Sequence, residues 1–180
     1  MEWLNEPTEW REDDDRLTLS VDPETDCWRV TAHDFVQDDA PFYYREVAGD
    51  FTARVTVTGA YADQYDQAGL MVREDESTWL KTGIEYVEGS QQASTVLTRE
   101  FSDWSVSPLD DDPESVSVRV ERTGETVETF ISRDGESFRM LRQGYLTDAE
   151  TLSVGMMAAA PTGEGFEVTF EDFRSSERRG

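Results

Sequence analysis

Short stretches in which apolar and polar residues alternate recur along the chain, and they constrain its fold more than any other feature. In the clearest case Phe51, Ala53, Val55 and Val57 are separated by Thr and Arg residues. The same period of two recurs at 116–120 and at 166–170. Because successive side chains of a strand point to opposite faces of a sheet, this pattern indicates half-buried β-strands. Less regular apolar runs predict further strands at 17–21, 42–46, 68–73, 80–87, 94–99, 127–132, 139–145 and 152–158.

Turn-forming residues lie between these predicted strands. Asp134 and Gly135 form an Asp-Gly pair between two strand patterns, which favours a hairpin. About a dozen short strands in a domain-sized chain predict two packed antiparallel sheets. We therefore predict an all-β fold, a two-sheet antiparallel jelly-roll sandwich, with residues 1–174 in a single domain and residues 175–180 as a frayed C-terminal tail.

The chain is strongly acidic, with 40 Asp and Glu against 16 Lys and Arg and a net charge of −24. The acidic residues are interleaved with aromatic and β-branched residues, so they do not indicate a disordered acidic tail. An acidic, lysine-poor surface over an ordinary core is typical of a halophilic protein, because salt at 1 M shortens the Debye length to about 3 Å and screens the repulsion. We expect no nucleic-acid or anionic-membrane partner, since the field of the protein repels phosphate. The sequence shows no apolar leader, which predicts a cytoplasmic location.

The residue inventory argues against several kinds of catalytic and metal site. Cys27 is the only cysteine and His33 the only histidine, so the sequence offers no disulfide, thiolate cluster or multi-histidine zinc site. The carboxylates at 74–76 and 171–172 do not form the paired arrangement of a glycoside hydrolase on one strand face. We assign no catalytic residue, no metal site and no cofactor. Calcium binding by the acidic runs at 13–15 or 110–112 stays an open alternative.

Lys81 is the most informative single residue, because a surface depleted of lysine has little reason to keep one at random. The alternation of its predicted strand places Trp79, Lys81 and Glu85 on one face. The two opposite charges on that face predict either an ordinary salt bridge between them or a shared ligand. Gln67 on the preceding strand joins the same surface if the polar faces of the two strands coincide. The segment 101–105 is predicted as a loop, with Trp104 either closing the sandwich edge or lying at the rim of a cleft.

Several motifs in a fixed order resemble one known family. They are FVQDD at 35–39, GDFTA at 49–53, YDQAGLMVR at 65–73, WLKTGIE at 79–85, FSDWS at 101–105 and GEGFEV at 163–168. The sequence is identified from them as a member of a family of concanavalin A-like jelly-roll domains often labelled regulation-of-enolase proteins. The resemblance implies a lectin- and glucanase-like sandwich with a concave sheet face, and its label implies a metabolic-enzyme partner. It carries over no catalytic residue.

Three functional hypotheses follow. The first is a non-catalytic binding module for a saccharide or similar polyhydroxylated molecule in the concave face, since flat rings beside polar groups are typical of sugar-binding clefts. The candidate ligand-binding residues are Gln67, Lys81, Glu85, Trp79, Trp104 and Tyr65. The second is a regulatory protein-interaction domain acting on a metabolic enzyme, through the aromatic segments 42–44 or 101–104. The third, which we disfavour, is a glycoside hydrolase.

The acidic composition leads to a first prediction about salt. The melting temperature is expected to rise between dilute buffer and molar KCl, because the carboxylates repel one another when they are unscreened. Calorimetry or dye-based melting across a KCl series measures this directly. A melting temperature that is flat across the series would contradict the halophilic interpretation of the charge.

Overall fold

The computed structural model describes residues 1–177, and none of them belongs to a helix, so this part of the chain contains no helix able to cross a membrane. In chain order the strands are β1 (Glu2–Leu4), β2 (Glu9–Asp13), β3 (Arg16–Val21), β4 (Cys27–Arg29), β5 (Val36–Asp38), β6 (Phe42–Ala48), β7 (Phe51–Gly59), β8 (Gln67–Arg73), β9 (Thr78–Val87), β10 (Ser90–Arg99), β11 (Phe101–Pro108), β12 (Val116–Thr123), β13 (Thr126–Ser132), β14 (Arg139–Tyr145), β15 (Thr151–Ala159) and β16 (Phe166–Glu177).

Two antiparallel sheets of seven strands form the sandwich, and this confirms the predicted fold class. The first sheet has the order β1-β6-β15-β8-β9-β10-β11, and the second has the order β14-β13-β12-β7-β16-β3-β2. The short strands β4 and β5 pair only with each other and form a separate hairpin. Half of the twelve neighbouring pairs in the two sheets are consecutive strands, and the other six join strands that are far apart in the chain.

The period-two alternation places one face of each strand in the core between the sheets. Phe51, Ala53, Val55 and Val57 of β7 are all buried, and so are Val116, Val118 and Val120 of the neighbouring β12. The first sheet contributes Leu70 and Val72 of β8 and Leu80 and Ile84 of β9 to the same core. Burying this apolar area supplies the main driving force for folding.

A second apolar cluster lies on the outer face of the first sheet. It consists of Cys27, Ala40, Phe42, Met71, Trp79, Val96, Met157 and Ala159. The segment 22–40 contains the β4–β5 hairpin and supplies Cys27 and Ala40 to this cluster. It covers part of the face, and we call it the covering segment. All seven residues of β8 are therefore buried, where one-sided burial would have left alternate residues exposed.

Two predicted boundaries are wrong. The segment 101–105 is not a loop, because it pairs with β10 in an unbroken antiparallel register and forms the start of β11. The tail does not fray from residue 175, since Ser175, Ser176 and Glu177 pair with β7 at the end of β16. Residues 178–180, the rest of the predicted tail, lie outside the described residues.

Gly69 and Gly83 face each other across β8 and β9 at a point of unusually close backbone approach. A Cβ atom on Gly69 would lie 2.0 Å from the carbonyl oxygen of Thr82, and one on Gly83 would lie 2.1 Å from that of Ala68. Such contacts cannot be relieved by a side-chain rotation, because both clashing atoms belong to the backbone. The pair therefore requires glycine at both positions.

Gly83→Ala is accordingly expected to lower the free energy of unfolding by about 3 kcal/mol, the upper part of the range for overpacking a core. Gly144→Ala is a suitable control, because its Cβ would meet only the flexible Leu97 side chain, at 2.7 Å. We expect the control to cost less than about 1 kcal/mol. Urea denaturation of both variants tests this, and equal stability of the two would contradict the close backbone approach at Gly83.

Candidate functional site

The floor of the candidate site is formed by the outward-facing residues of β8 and β9. Their antiparallel register places Gln67 opposite Glu85, Gly69 opposite Gly83, and Met71 opposite Lys81. The polar faces of the two strands therefore coincide, the condition under which Gln67 joins Lys81 and Glu85. The two glycines lie between the polar positions, so no side chain rises from the floor between Lys81 and Glu85.

The β4–β5 hairpin forms a wall above this floor. Asp38 at the end of β5 accepts two hydrogen bonds from Arg73 of β8, at 2.6 and 2.7 Å. The backbone N–H of Arg29 in β4 donates to the Ser102 hydroxyl of β11 at 2.9 Å. Bidentate arginine–carboxylate pairs fix geometry as well as energy. The hairpin is thus held against the sheet at two separate points, and none of the four residues that make these contacts lines the cleft.

Lys81 is buried in an ion pair with a residue of the covering segment. Its Nζ atom donates to Oδ1 of Asp26 at 3.0 Å and to the carbonyl oxygen of Cys27 at 2.7 Å. Burial alone would lower the pKa of Lys81, but the neighbouring acidic groups, Asp26 foremost, outweigh it and raise the pKa. Burial also raises the pKa of the Cys27 thiol to about 12, so that thiol stays neutral. Lys81 is therefore a permanent cation at the floor of the site.

Glu85 has a different environment at the other end of the floor. Its Oε2 atom accepts hydrogen bonds from the Ser94 hydroxyl at 2.6 Å and from the Trp104 indole N–H at 2.8 Å. Burial raises the pKa of Glu85, and the charge of Lys81 and the two hydrogen bonds only partly oppose this. Lys81 and Glu85 do not pair directly, contrary to one sequence expectation. They are four positions apart on an extended strand, which separates their Cα atoms by roughly 13 Å.

These parts enclose a cleft of about 370 Å³. The residues lining it are Asp26, Trp28, His33, Phe35, Gln37, Tyr65, Gln67, Lys81, Glu85, Val96, Trp104, Pro161 and Thr162. Aromatic rings stand on two sides, with Trp28, His33 and Phe35 in sequence on one side and Tyr65 against Trp104 on the other. The cleft combines a polar floor with aromatic walls, the usual composition of a small-molecule site.

Four of the twelve non-glycine residues with positive φ within residues 1–177 lie in or beside segments that line this cleft. In the loop joining β4 to β5, Val30, Ala32 and Asp34 have φ values of 60°, 66° and 54°. On the other side Tyr65 has a φ of 73°. Positive φ is costly for β-branched and bulky residues and persists where the surrounding structure enforces it, often at binding sites.

Five of the six predicted ligand-binding residues line the cleft: Gln67, Lys81, Glu85, Tyr65 and Trp104. Trp104 lies at the rim, 40% exposed, although it is on a strand and not in a loop. The stacking role predicted for Trp79 is wrong, because the side chain is 1% exposed and packs in the second apolar cluster. Its ring lies 5.6 Å from the Lys81 ammonium and supports that cation from inside the protein.

The sequence-based prediction missed the residues that the covering segment brings to the cleft. These are Asp26, Trp28, His33, Phe35 and Gln37. The sequence favours a structural loop role for His33 and an ordinary strand for Cys27 and Trp28, and neither pattern indicates a site. The FVQDD motif at 35–39 is the one available signal, since it belongs to the family resemblance and not to any strand of the core. The carboxylates at 74–76 and 171–172 do not line the cleft.

No group of three or more His, Cys, Asp and Glu side chains in residues 1–177 is placed to hold a metal ion. This holds for the acidic runs at 13–15 and 110–112 as well.

The family described as "Protein of unknown function (DUF1349)" matches residues 3–178. The chain belongs to this family. Regulation of enolase protein 1 from Saccharomyces cerevisiae is 36% identical over 171 residues, which cover 95% of this chain and 86% of the yeast protein. The resemblance inferred from the sequence motifs is therefore confirmed.

Solved structures agree on the fold. A functionally unknown protein from Saccharomyces cerevisiae superposes with a TM-score of 0.95 at 35% identity, over 99% of this chain and 97% of that one. The GH43 BlXynB protein from Bacillus licheniformis gives a TM-score of 0.76 at 16% identity and covers 96% of this chain but 36% of its own. At that identity the likeness to the glycoside hydrolase shows a shared sandwich fold and nothing further.

The raised pKa of Glu85 leads to a prediction about pH. A carboxyl whose folded pKa is raised contributes stability below its unfolded pKa, and this contribution is lost as pH rises through the folded value. Glu85→Gln keeps an acceptor oxygen and stays neutral. Its free energy of unfolding is therefore expected to increase relative to the unmodified protein as pH rises above 4.5, the ordinary value for this carboxyl, by up to about 1.4 kcal/mol per pH unit.

Asp134 provides a control of opposite sign. The backbone N–H groups of Ser137 and Glu136 hold the pKa of Asp134 well below its ordinary value. Stability from this group is present above its unfolded pKa and is lost on acidification. The unmodified protein gains this stability as pH rises through the acid range, and Asp134→Asn does not. The variant is thus expected to become less stable than the unmodified protein as pH rises. Denaturation series in molar KCl measure both differences, and a pH-independent difference for Glu85→Gln would contradict the assignment.

Proposed function

We propose that this chain is a non-catalytic binding domain whose cleft holds a saccharide or a similarly polyhydroxylated small molecule. The observation that carries the proposal is the combination of a polar floor, made by Lys81, Glu85 and Gln67, with the aromatic pair Tyr65 and Trp104 at the rim. Sugars present hydroxyl groups on their edges and apolar C–H groups on their faces. Such a ligand matches both kinds of surface at once.

The floor has hydrogen-bonding capacity to spare for ligand hydroxyls. Both protein donors to Glu85 reach Oε2, so Oε1 is the acceptor that remains for a ligand. Lys81 has three N–H donors, of which the contacts to Asp26 and Cys27 use two. Gln67 donates through Nε2 to the carbonyl oxygen of Tyr65, and its amide oxygen is left as an acceptor. Donors and acceptors together suit hydroxyl groups, which do both.

The charge balance of the cleft favours a neutral ligand. Asp26 compensates the charge of Lys81 at 3.0 Å, so the one cation on the floor is already paired. A phosphorylated sugar would meet a lysine that is already paired and a strongly acidic protein around it. The proposal therefore ranks neutral sugars above sugar phosphates.

A hydrolytic role is less well supported. The cleft holds two carboxyl groups, Asp26 and Glu85, but Asp26 is engaged by Lys81 and by the backbone N–H of Cys27 at 2.7 Å. A carboxylate held in this way is a structural anchor for the covering segment. Turnover of a polysaccharide that is lost in Glu85→Gln would reverse this ranking.

A regulatory interaction with a metabolic enzyme is the second candidate function, favoured by the name of the yeast relative. Of the two aromatic segments proposed for docking, 42–44 is unsuitable, because Phe42 and Tyr43 are buried. The segment 101–104 stands at a sheet edge, with Phe101 61% exposed. A protein partner would thus use a surface beside the cleft, not the cleft itself.

Ligand binding is tested by a thermal-shift screen in molar KCl, with and without calcium, against mono- and oligosaccharides and phosphorylated sugars. A ligand at about a hundred times its Kd stabilises the folded state by about 2.7 kcal/mol, which raises the melting temperature of a domain this size by several degrees. Trp104→Ala and Gln67→Ala are expected to abolish the shift and leave the unliganded melting temperature nearly unchanged.

Trp10→Ala is the matched control. Trp10 is about as exposed as Trp104, at 38% against 40%, but Trp10 lies on β2, away from the cleft. It is expected to keep the full shift. No shift across the panel, or a shift that survives in both cleft variants, would contradict the proposed binding site. Lys81→Ala is a weaker test, since it leaves Asp26 buried without its partner.

A further inference from the structure

Strand β11 is the outermost strand of the first sheet and is unusually open. It pairs with β10 over its full length in continuous register, with no bulge. On its other side no strand in residues 1–177 pairs with it. A row of backbone N–H and C=O groups is therefore available along one side of an eight-residue strand.

The other edge strands carry features that discourage pairing. β1 is only three residues long, and four of the five residues of β2 are charged. β14 pairs with a register shift next to Thr129, the irregularity of a bulge. Short length, charge and bulges are the usual ways in which proteins block an edge. β11 is eight residues long and has no bulge, it carries one charged residue, Asp103, and its proline, Pro108, is its last residue.

Exposed apolar side chains are concentrated at this side of the sandwich. Of the nine large apolar side chains that are exposed in the described part of the chain, five lie on β11 and β14. They are Phe101, Trp104 and Val106 on β11, and Met140 and Tyr145 on β14. Arg142 of β14 binds Asp103 of β11 at 2.7 Å, so the two strands lie close to each other at this point. Apolar exposure of this kind marks an interaction site.

The charge at this side departs from the rest of the molecule. β11 and β14 together contain one carboxylate, Asp103, in a chain where 40 of 180 residues are Asp or Glu. Three arginines lie on or next to these strands: Arg99 at the end of β10, and Arg139 and Arg142 on β14. Arg99 lies over the ring of Tyr145 at 4.4 Å, and no carboxylate within the described residues forms a salt bridge with it. Its charge is thus presented to an incoming group.

We propose that the β11 edge binds an extended acidic segment of a partner protein, which adds to the first sheet as a further antiparallel or parallel strand. Backbone hydrogen bonds to β11 would supply affinity, and the arginines and apolar side chains would select an acidic segment with alternating apolar residues. The surface adjoins the cleft at Trp104, but strand addition at the edge does not require a ligand in the cleft.

The probe for this surface is a fluorescein-labelled peptide of eight residues that alternates Val and Glu, matched to the length of β11. Fluorescence anisotropy in KCl high enough to keep the protein folded measures its affinity. Hydrogen exchange locates the bound peptide, and we expect slowed exchange at those amides of 101–107 that do not already bond to β10. The corresponding Val and Lys peptide is expected to bind at least about tenfold more weakly, because it places like charges beside the arginines.

Arg99→Glu and Phe101→Ser are each expected to lower the affinity for the acidic peptide by roughly tenfold. Arg11→Glu on the β2 edge is expected to leave that affinity unchanged. Gln67→Ala in the cleft is also expected to bind the peptide normally, which separates this inference from the proposed ligand site. Absence of binding, protection elsewhere than β11, or an equal loss in Arg11→Glu would overturn the proposal. Exchange protection of β11 that grows with protein concentration in the absence of peptide would assign the edge to a second copy, and would overturn it as well.

Discussion

The ion pair between Lys81 and Asp26 is the interaction on which the site depends. It joins the first sheet to the covering segment across 55 positions of sequence, and both side chains are almost completely buried. A buried pair gains little over a hydrophobic contact, because both ions lose their hydration, but breaking it by removing one partner costs about 3–5 kcal/mol. The carbonyl of Cys27 and the ring of Trp79 complete the environment of the ammonium group. The pair therefore acts less as a source of stability than as a fixed point for the cleft wall.

Alternation along the strands is sufficient to predict the fold and part of the site. Period two determines which side chains of a strand share a face, so the sequence alone places Lys81 and Glu85 together, and the strand register then adds Gln67. It does not determine what packs on that face. Trp79 has the same parity as Lys81, yet it is buried under the covering segment while Lys81 reaches the cleft. Asp26 and His33 could not be assigned for the same reason, since they reach the site through a tertiary contact of a segment with almost no periodic pattern.

The shared fold with GH43 proteins does not carry their activity to this chain. This domain corresponds to about a third of those longer chains, 36% in the case of BlXynB. A hydrolase needs two carboxyl groups that are free to act on opposite sides of a glycosidic bond. Here one of the two available groups, Asp26, is held by a lysine and a backbone N–H, and the other, Glu85, accepts from Ser94 and Trp104. The same sandwich can thus present a polar cleft whose charged groups hold the structure and whose remaining hydrogen-bonding atoms face the ligand.

Strand β11 connects the two surfaces that the structure presents. The indole of Trp104 donates to Glu85 inside the cleft, and Ser102 accepts the N–H of Arg29 from the covering hairpin. Asp103, which lies between them, faces the opposite way and binds Arg142 beside the open edge. A ligand in the cleft and a segment on the edge would therefore contact one strand from different sides. If binding at one surface shifts this strand, the free-energy coupling must be equal in both directions, so a ligand that tightens the edge is itself held more tightly when the edge is occupied. A domain that binds a small molecule and a protein on either side of a single strand has the means to connect the two events, and this reconciles the proposed binding function with a regulatory one.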